Sequence, residues 1–391
     1  MVYICFTPCR NDLGKNCISP GETGKIPDSG DAGCLETLTR LTFLVYNIIC
    51  WKTIARVRKE NGPKMVRLKD IAEACGVSVA TVSRALNGLT NEGRERTAFI
   101  CQTAKDMGYY PNAAARTLKT SKSNNIGIIY EDMMTHVYFS SLFDALRREA
   151  ERFGYDLTFL GRGDFTGRNY YEHARQRSLD GVIVVQADFD AAGIMRLATS
   201  SIPTVVVDHT YEGVDCVTSD NRSSMEQIVR HVHLRGHRRI AFIQGQKGTV
   251  SRERLAGFYK ACTELGIRVP VEYVREGLFQ NATECTECIL EFLKLPEKPT
   301  CILCPDDSSA IGAMLQLQAR GINVPKDVSL VGYDGIPMSQ VITPRLTTYS
   351  QDAVRIAKET FDLLIDAIEY PDSHVTKQIS VPGKMIEGET V

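Results

Sequence analysis

Between Ile126 and Val391 the sequence alternates short apolar runs with amphipathic stretches, and no other feature restricts the fold as much. The runs Ile126–Tyr130, Asp156–Leu160, Gly181–Gln186, Thr204–Asp208, Arg239–Gln244, Thr300–Cys304 and Ser329–Tyr333 have the length of strands. Between them, 140–153, 168–178, 190–200, 221–235, 251–265, 283–293 and 307–320 carry helical periodicity. A strand that is apolar throughout is buried on both faces, so the alternation predicts an α/β architecture with parallel sheets under helices. A span of about 266 residues is large for one such sheet, and two lobes are expected.

Such sheets bind ligands beyond the carboxyl ends of their strands. Asp208 closes one strand, Asp306 and Asp307 follow another, Asp334 follows a third, and Arg254 opens a helix. Any one of them could be a helix cap or a solvated loop charge. Several at equivalent strand ends point instead to a converging polar site, with carboxylates and one Arg suited to hydroxyl groups of a ligand.

The segment before this domain differs in charge. Residues 65–125 hold 9 Lys/Arg against 5 Asp/Glu, whereas 126–391 hold 28 against 36. A small basic block joined to a larger acidic one fits a nucleic-acid-binding module joined to a soluble domain. In LKDIAEAC, residues 68–75, Leu68, Ile71, Ala72 and Cys75 share a helical face. Gly76 suits the left-handed end of that helix, and Ser78 suits the cap of the next. Two short helices about a glycine turn have the form of a helix-turn-helix. Its outer face offers Arg84 for guanine or phosphate, Ser78, Thr81, Ser83 and Asn87 for phosphate oxygens, and Val79 and Ala80 for thymine methyls. A third helix is expected over 94–107, followed by a break at Gly108 to Pro111. Asn112 can then cap a helix of about two turns, too short to be stable alone.

LKDIAEACGVSVATVSRALNG, together with YYPNAAARTLK downstream, resembles the helix-turn-helix and hinge of the lactose-repressor (LacI/GalR) family. Cys75 and Gly93 depart from that pattern, the second weakening a helix cap. By this resemblance Val79, Ala80 and Arg84 hold base-reading positions, and Ala115 and Leu118 enter the minor groove, Leu118 as an apolar wedge. SDN at 219–221, RGHRRIAFIQG at 235–245, RLAGF at 254–258 and VGYDG at 331–335 also resemble family blocks. The resemblance covers 65–391 and implies a type I periplasmic-binding-protein-like effector domain of two lobes. It assigns effector contact to Asp208, Arg254, Asp306 and Asp334, with His136, Tyr138 and Phe139 forming another wall. Asp306 stands where Asn is common.

The expected organisation is therefore an extension at 1–64, a helix-turn-helix domain at 65–111, a hinge helix and linker at 112–125, and an effector and dimerisation domain at 126–391. Residues 14–33, rich in Gly, Pro, Ser and Asp, look like loop. The extension reads as disordered or as a mis-assigned start, with an accessory helix over 35–59 or a membrane-surface anchor as alternatives. The longest apolar run, Leu41 to Trp51, is too short to span a bilayer, and a cytoplasmic location is expected. Cys285-x-x-Cys288 and Cys301-x-x-Cys304 have the spacing of a zinc ribbon. However, residues three apart in a strand face opposite ways, so core thiols are the better reading and no metal is expected.

No catalytic motif or cofactor loop is present, so the expected function is not enzymatic. It is a homodimeric DNA-binding regulator, with repression favoured, acting on a near-palindromic double-stranded operator. A small-molecule effector, a sugar or its phosphate, controls it without a further cofactor. The alternative is a solute-binding protein for sugars with no regulatory role.

Overall fold

The computed structural model describes residues 66–86, 93–110, 117, 120, 122–131, 136–161 and 169–391, and the backbone of 3–10 and 16–24. The chain divides into two units, 1–110 and 111–391.

In the first unit, β1 (Tyr3–Arg10) and β2 (Asn16–Gly24) pair antiparallel, where composition reads as loop over 14–33. Three helices follow: α1 (Leu68–Cys75), α2 (Val79–Leu86) and α3 (Arg94–Asp106). Ile71, Ala72, Val82, Ala85, Ile100 and Ala104 form their small core. Gly76 sits at φ 61°, where an L side chain would be strained, and Val77 N–H returns to Ala72 O at 3.0 Å. Ser78 Oγ then accepts Thr81 N–H at 3.1 Å and starts α2. Gly93 supplies no side-chain cap to α3.

The second unit contains two six-stranded sheets. Lobe 1 is built from β3 (Asn125–Tyr130), β4 (Asp156–Leu160), β5 (Gly181–Gln186), β6 (Thr204–Val207), β7 (Asp215–Ser219) and β13 (Gln378–Val381). Their order is β13-β7-β6-β5-β3-β4, parallel throughout. Helices α4 (Val137–Phe153), α5 (Tyr170–Gln176) and α6 (Ala192–Ala198) cover this sheet together with α11 (Ala353–Glu369). Along β5 the residues alternate between two cores: Ile183 and Val185 meet α4 and α11, while Val182 and Val184 join Ile194 and Leu197 of α6. This double-sided burial is why β5 reads as an unbroken apolar run.

Lobe 2 contains β8 (Ile240–Gln244), β9 (Val274–Glu276), β10 (Cys301–Leu303), β11 (Ser329–Asp334), β12 (Thr347–Ser350) and β14 (Lys384–Ile386). Their order is β14-β12-β11-β10-β8-β9, with only β14 antiparallel to its neighbour. Its helices are α7 (Asn221–Leu234), α8 (Thr249–Glu264), α9 (Ala282–Phe292) and α10 (Asp307–Gln318).

The chain passes between the lobes three times: after β7, between β12 and α11, and between β13 and β14. These crossovers are tied laterally. Asp220 N–H donates to Val381 O at 2.9 Å, and Gly383 N–H donates to the Tyr349 hydroxyl at 3.0 Å. Ser219 Oγ hydrogen-bonds Gln351 Oε1, and Gln351 Nε2 donates to Asp334 Oδ1 at 2.7 Å.

Candidate functional site

The outer face of α2 is polar and accessible. Ser78, Val79, Ala80 and Arg84 are exposed, and Ser83 is half-buried. Arg84 Nε rests on Ala80 O at 3.4 Å, a weak contact that leaves the guanidinium projecting. Thr81 is turned inward instead: it is buried, and its hydroxyl meets Ser78 Oγ at 3.0 Å. Asn87, Asn112, Ala115 and Leu118 lie outside the described residues.

In the second unit the carboxyl ends of strands from both lobes meet around a cleft of about 250 Å³. His136 and Tyr138 reach it from the start of α4, and Phe189 from the segment after β5. Asp208 and His209 follow β6, while Gln246 to Ser251 lead into α8, which also carries Arg254. Phe279 precedes α9, Asp334 ends β11, and Gln351 follows β12.

Arg254 is only 6% exposed. Its Nε donates to Asn221 Oδ1 at 2.9 Å and its Nη1 to Pro305 O at 3.0 Å. Its guanidinium carbon lies 3.4 Å from the centre of the Tyr333 ring. Arg254 also lines the cleft. Asp208 and Asp334 occupy positive φ, 57° and 109°, where non-glycine residues are uncommon. Burial pushes the Asp334 carboxyl well above the usual carboxylate range, against the opposing pull of Arg254. Burial also raises Asp208, offset by the Ser219 N–H it accepts at 3.1 Å and by Arg254. The Tyr138 hydroxyl is buried and is pushed well up by burial, Asp208 and Asp334, against the opposing pull of the Ser219 hydroxyl beside it.

Five of the seven effector positions read from the sequence therefore line one cleft: His136, Tyr138, Asp208, Arg254 and Asp334. Phe139 does not line it. Its ring is buried in lobe 1 and stacks on Tyr130 with centroids 3.5 Å apart. Asp306 does not line it either. It caps α10, accepting Ser309 N–H and Ser309 O–H at 2.8 Å each and Gln280 N–H at 2.7 Å. Its carboxylate is engaged within the fold.

The structure adds residues that the sequence reading passed over. Phe189 and His209 stack with centroids 4.4 Å apart and planes within 3°, and Tyr211 packs edge-on to His209 at 4.6 Å. His209 Nδ1 also meets Thr249 Oγ1 at 2.9 Å across the cleft. Phe279 completes an aromatic lining on the side of lobe 2. The available signal was weak: single aromatics just beyond strand ends, in loops with no periodicity.

The paired cysteine motifs meet through the Cys285 and Cys304 thiols, which hydrogen-bond within one core. Cys301 belongs to the core under α7 and α8, and Cys304 and Cys285 to the core on the other face of the sheet. Burial raises the Cys301 thiol, and burial first among several causes brings Cys288 to about 11. Among the described residues no group of three or more His, Cys, Asp or Glu side chains could hold a metal ion. Nor is any described helix long and apolar enough to cross a membrane.

Residues 67–112 match the family described as bacterial regulatory proteins, lacI family, and residues 229–391 match the periplasmic binding protein-like domain. The HTH-type transcriptional repressor PurR of Vibrio cholerae serotype O1 is 29% identical over 336 residues, 84% of this chain and 98% of that protein. The probable HTH-type transcriptional repressor ExuR of Bacillus subtilis is 30% identical over 317 residues, 80% and 95% of the two chains. A lac repressor dimer bound to operator and the anti-inducer ONPF superposes with a TM-score of 0.72 at 25% identity, covering 84% of this chain and 99% of that one. A transcriptional regulator CelR–cellobiose complex shares the fold, with a TM-score of 0.62 at 21% identity over 83% and 100%. With both domains matched, and similarity carried along nearly the whole length of known repressors, the chain belongs to the lacI family of DNA-binding transcription regulators.

Proposed function

We propose that the chain is a transcriptional repressor whose operator affinity is set by a carbohydrate, a sugar or its phosphate, bound between the two lobes. The observation that carries this reading is the convergence of Arg254, Asp208, Asp334 and Tyr138 in one cleft beside the tied crossovers. Carboxyl groups and a guanidinium suit hydroxyl-rich ligands, and the aromatic lining suits the apolar face of a sugar ring. A ligand spanning the cleft holds β6 of one lobe and α8 of the other at a set separation. It therefore prefers one arrangement of the lobes, and that preference is what shifts affinity elsewhere.

On the DNA side, α2 enters a major groove with Arg84, Val79 and Ala80 at base edges and Ser78 and Ser83 on phosphates. Asn87, Asn112, Ala115 and Leu118 complete this surface in the reading carried over from the sequence. The protein acts as a homodimer, so its operator is a near-palindrome with two half-sites. Both induction and corepression fit this arrangement.

The test is selection from random duplex DNA with the full chain at near-physiological salt, repeated with pooled sugars and sugar phosphates. Enrichment of a near-palindrome under one condition, and its loss or gain with the pool, is the expected result. Failure to enrich any site under both conditions would overturn the regulator reading and leave a solute-binding role.

A further inference from the structure

His374 lies at the end of lobe 1 opposite the cleft, in the segment between α11 and β13. Its side chain is 8% exposed and bridges two carboxylates. Nε2 meets Asp215 Oδ2 at 2.6 Å, and Nδ1 meets Asp366 Oδ2 at 2.7 Å. Asp215, at the start of β7, also accepts Lys377 N–H at 2.8 Å and is itself buried. A neutral imidazole has one ring proton, so one of the two short contacts would then set a lone pair against a carboxylate. Only the imidazolium donates to both. The wall around it, residues 198–204 and 213–214, brings no ionisable side chain, and Asp372 and Lys377 belong to its own segment. Burial alone would lower this histidine, but the hydrogen bonds to Asp366 and Asp215 outweigh it and the net direction is up.

The helix that His374 holds also anchors the linker to the DNA-binding unit. Glu369, at the end of α11, pairs with Lys122 at 2.5 Å. Leu364 and Ile368 of α11 press on Gly181, where an added Cβ would lie 2.9 Å and 3.1 Å from them. Next to Gly181, Asp180 accepts Ser123 N–H and Asn124 N–H at 2.8 Å each. One chain of contacts thus runs from His374 through Asp366 and the end of α11 to Lys122, Ser123 and Asn124.

We propose that His374 is a proton-dependent clamp that fixes the root of the linker, and through it makes operator affinity responsive to pH. An unfolded histidine titrates near pH ~6.5. With the folded value raised above that, the clamp is complete below ~6.5 and is released as pH rises through the folded value. The operator arm of this inference rests on the proposed function, whereas the clamp itself does not.

The test is hydrogen exchange on the full chain from about pH 6 to about pH 9.5, corrected for the intrinsic exchange rate at each pH, with a His374→Gln variant alongside. In the wild type, protection of both 370–377 and 122–125 should fall together by about tenfold across that range, while α9 and α10 hold steady. In His374→Gln both segments should exchange at the high-pH rate throughout. Should that variant not fold, ring nitrogen chemical shifts of wild-type His374 give the titration directly. Loosening of 370–377 without 122–125, or no pH-dependent loss in either, would overturn the proposal. Operator affinity on a selected duplex should weaken over the same range, and an operator affinity constant with pH would overturn the regulatory part. Failure to bind any duplex would sink the repressor reading while leaving the exchange result to decide the clamp.

Discussion

Arg254 serves the fold and the cleft at once, and this sets what its removal can show. Arg254→Ala takes the donor from Asn221 Oδ1 and Pro305 O, both in buried surroundings. Urea unfolding should report a loss of about 2–4 kcal/mol, and calorimetry should find effector binding abolished. Operator binding by the folded fraction should persist. Arg254→Lys keeps the charge but not the planar fork, so it should recover part of the stability and little of the affinity. On α2, Arg84→Ala removes an exposed side chain with one long contact to Ala80 O. It should weaken operator binding by about 1–3 kcal/mol without moving the melting temperature. Unchanged operator affinity would remove Arg84 from the interface. Asp306 shows how one residue type at a strand end admits two readings, a helix cap or a ligand contact. Its charge is spent on Ser309 and Gln280, and nothing in the linear sequence separates a cap from a ligand contact.

Among the elements, α7 and α8 pack so closely that Gly257 has no room for a side chain. An added Cβ would stand 2.2 Å from Arg222 O. Gly257→Ala should therefore cost about 1–3 kcal/mol, seen as a lower denaturation midpoint. Effector affinity should fall with it, because Arg254 lies one turn earlier on the same helix. Normal affinity in a destabilised variant would show that Arg254 is held independently of that helix contact. Most elements were legible because apolar runs such as Gly181–Gln186 are buried on both faces. The strands that were not legible are polar. In β7, Asp215 is buried because His374 and Lys377 satisfy it, and in β12 Thr348 donates to Asp307 Oδ1 at 2.5 Å while Thr347 N–H reaches Thr390 Oγ1 at 3.0 Å. A buried polar residue is stable only with a partner, and partners up to 162 residues away leave no local pattern. Helix α11 does show amphipathic spacing through Ile356, Phe361 and Leu364, yet it stands outside the helices read from the sequence. Its return to lobe 1 after β12 is a property of tertiary packing.

For the second unit as a whole, the crossovers determine how binding in the cleft can be felt outside it. Tyr349 ties two of them through its hydroxyl to Gly383 N–H but does not line the cleft. Tyr349→Phe keeps the ring in its core and deletes that tie. Stability should drop by about 1 kcal/mol, effector affinity should hold, and the ratio of operator affinities with and without effector should shrink. A ratio equal to wild type would show that this tie does not transmit the effector's preference.

The same weaving governs how the protein is made. Strand β13 closes one sheet and β14 the other, only a few residues apart, and Thr390 Oγ–H caps Leu330 O from the far end of the sequence. During synthesis, neither large sheet can acquire its last strand until residues 378–386 have left the ribosome. By contrast, the contacts among α1, α2 and α3 span only some forty residues and can form early. A nascent chain would therefore emerge with its N-terminal helices folded and its two-lobed half still open, before any ligand can be held between the lobes.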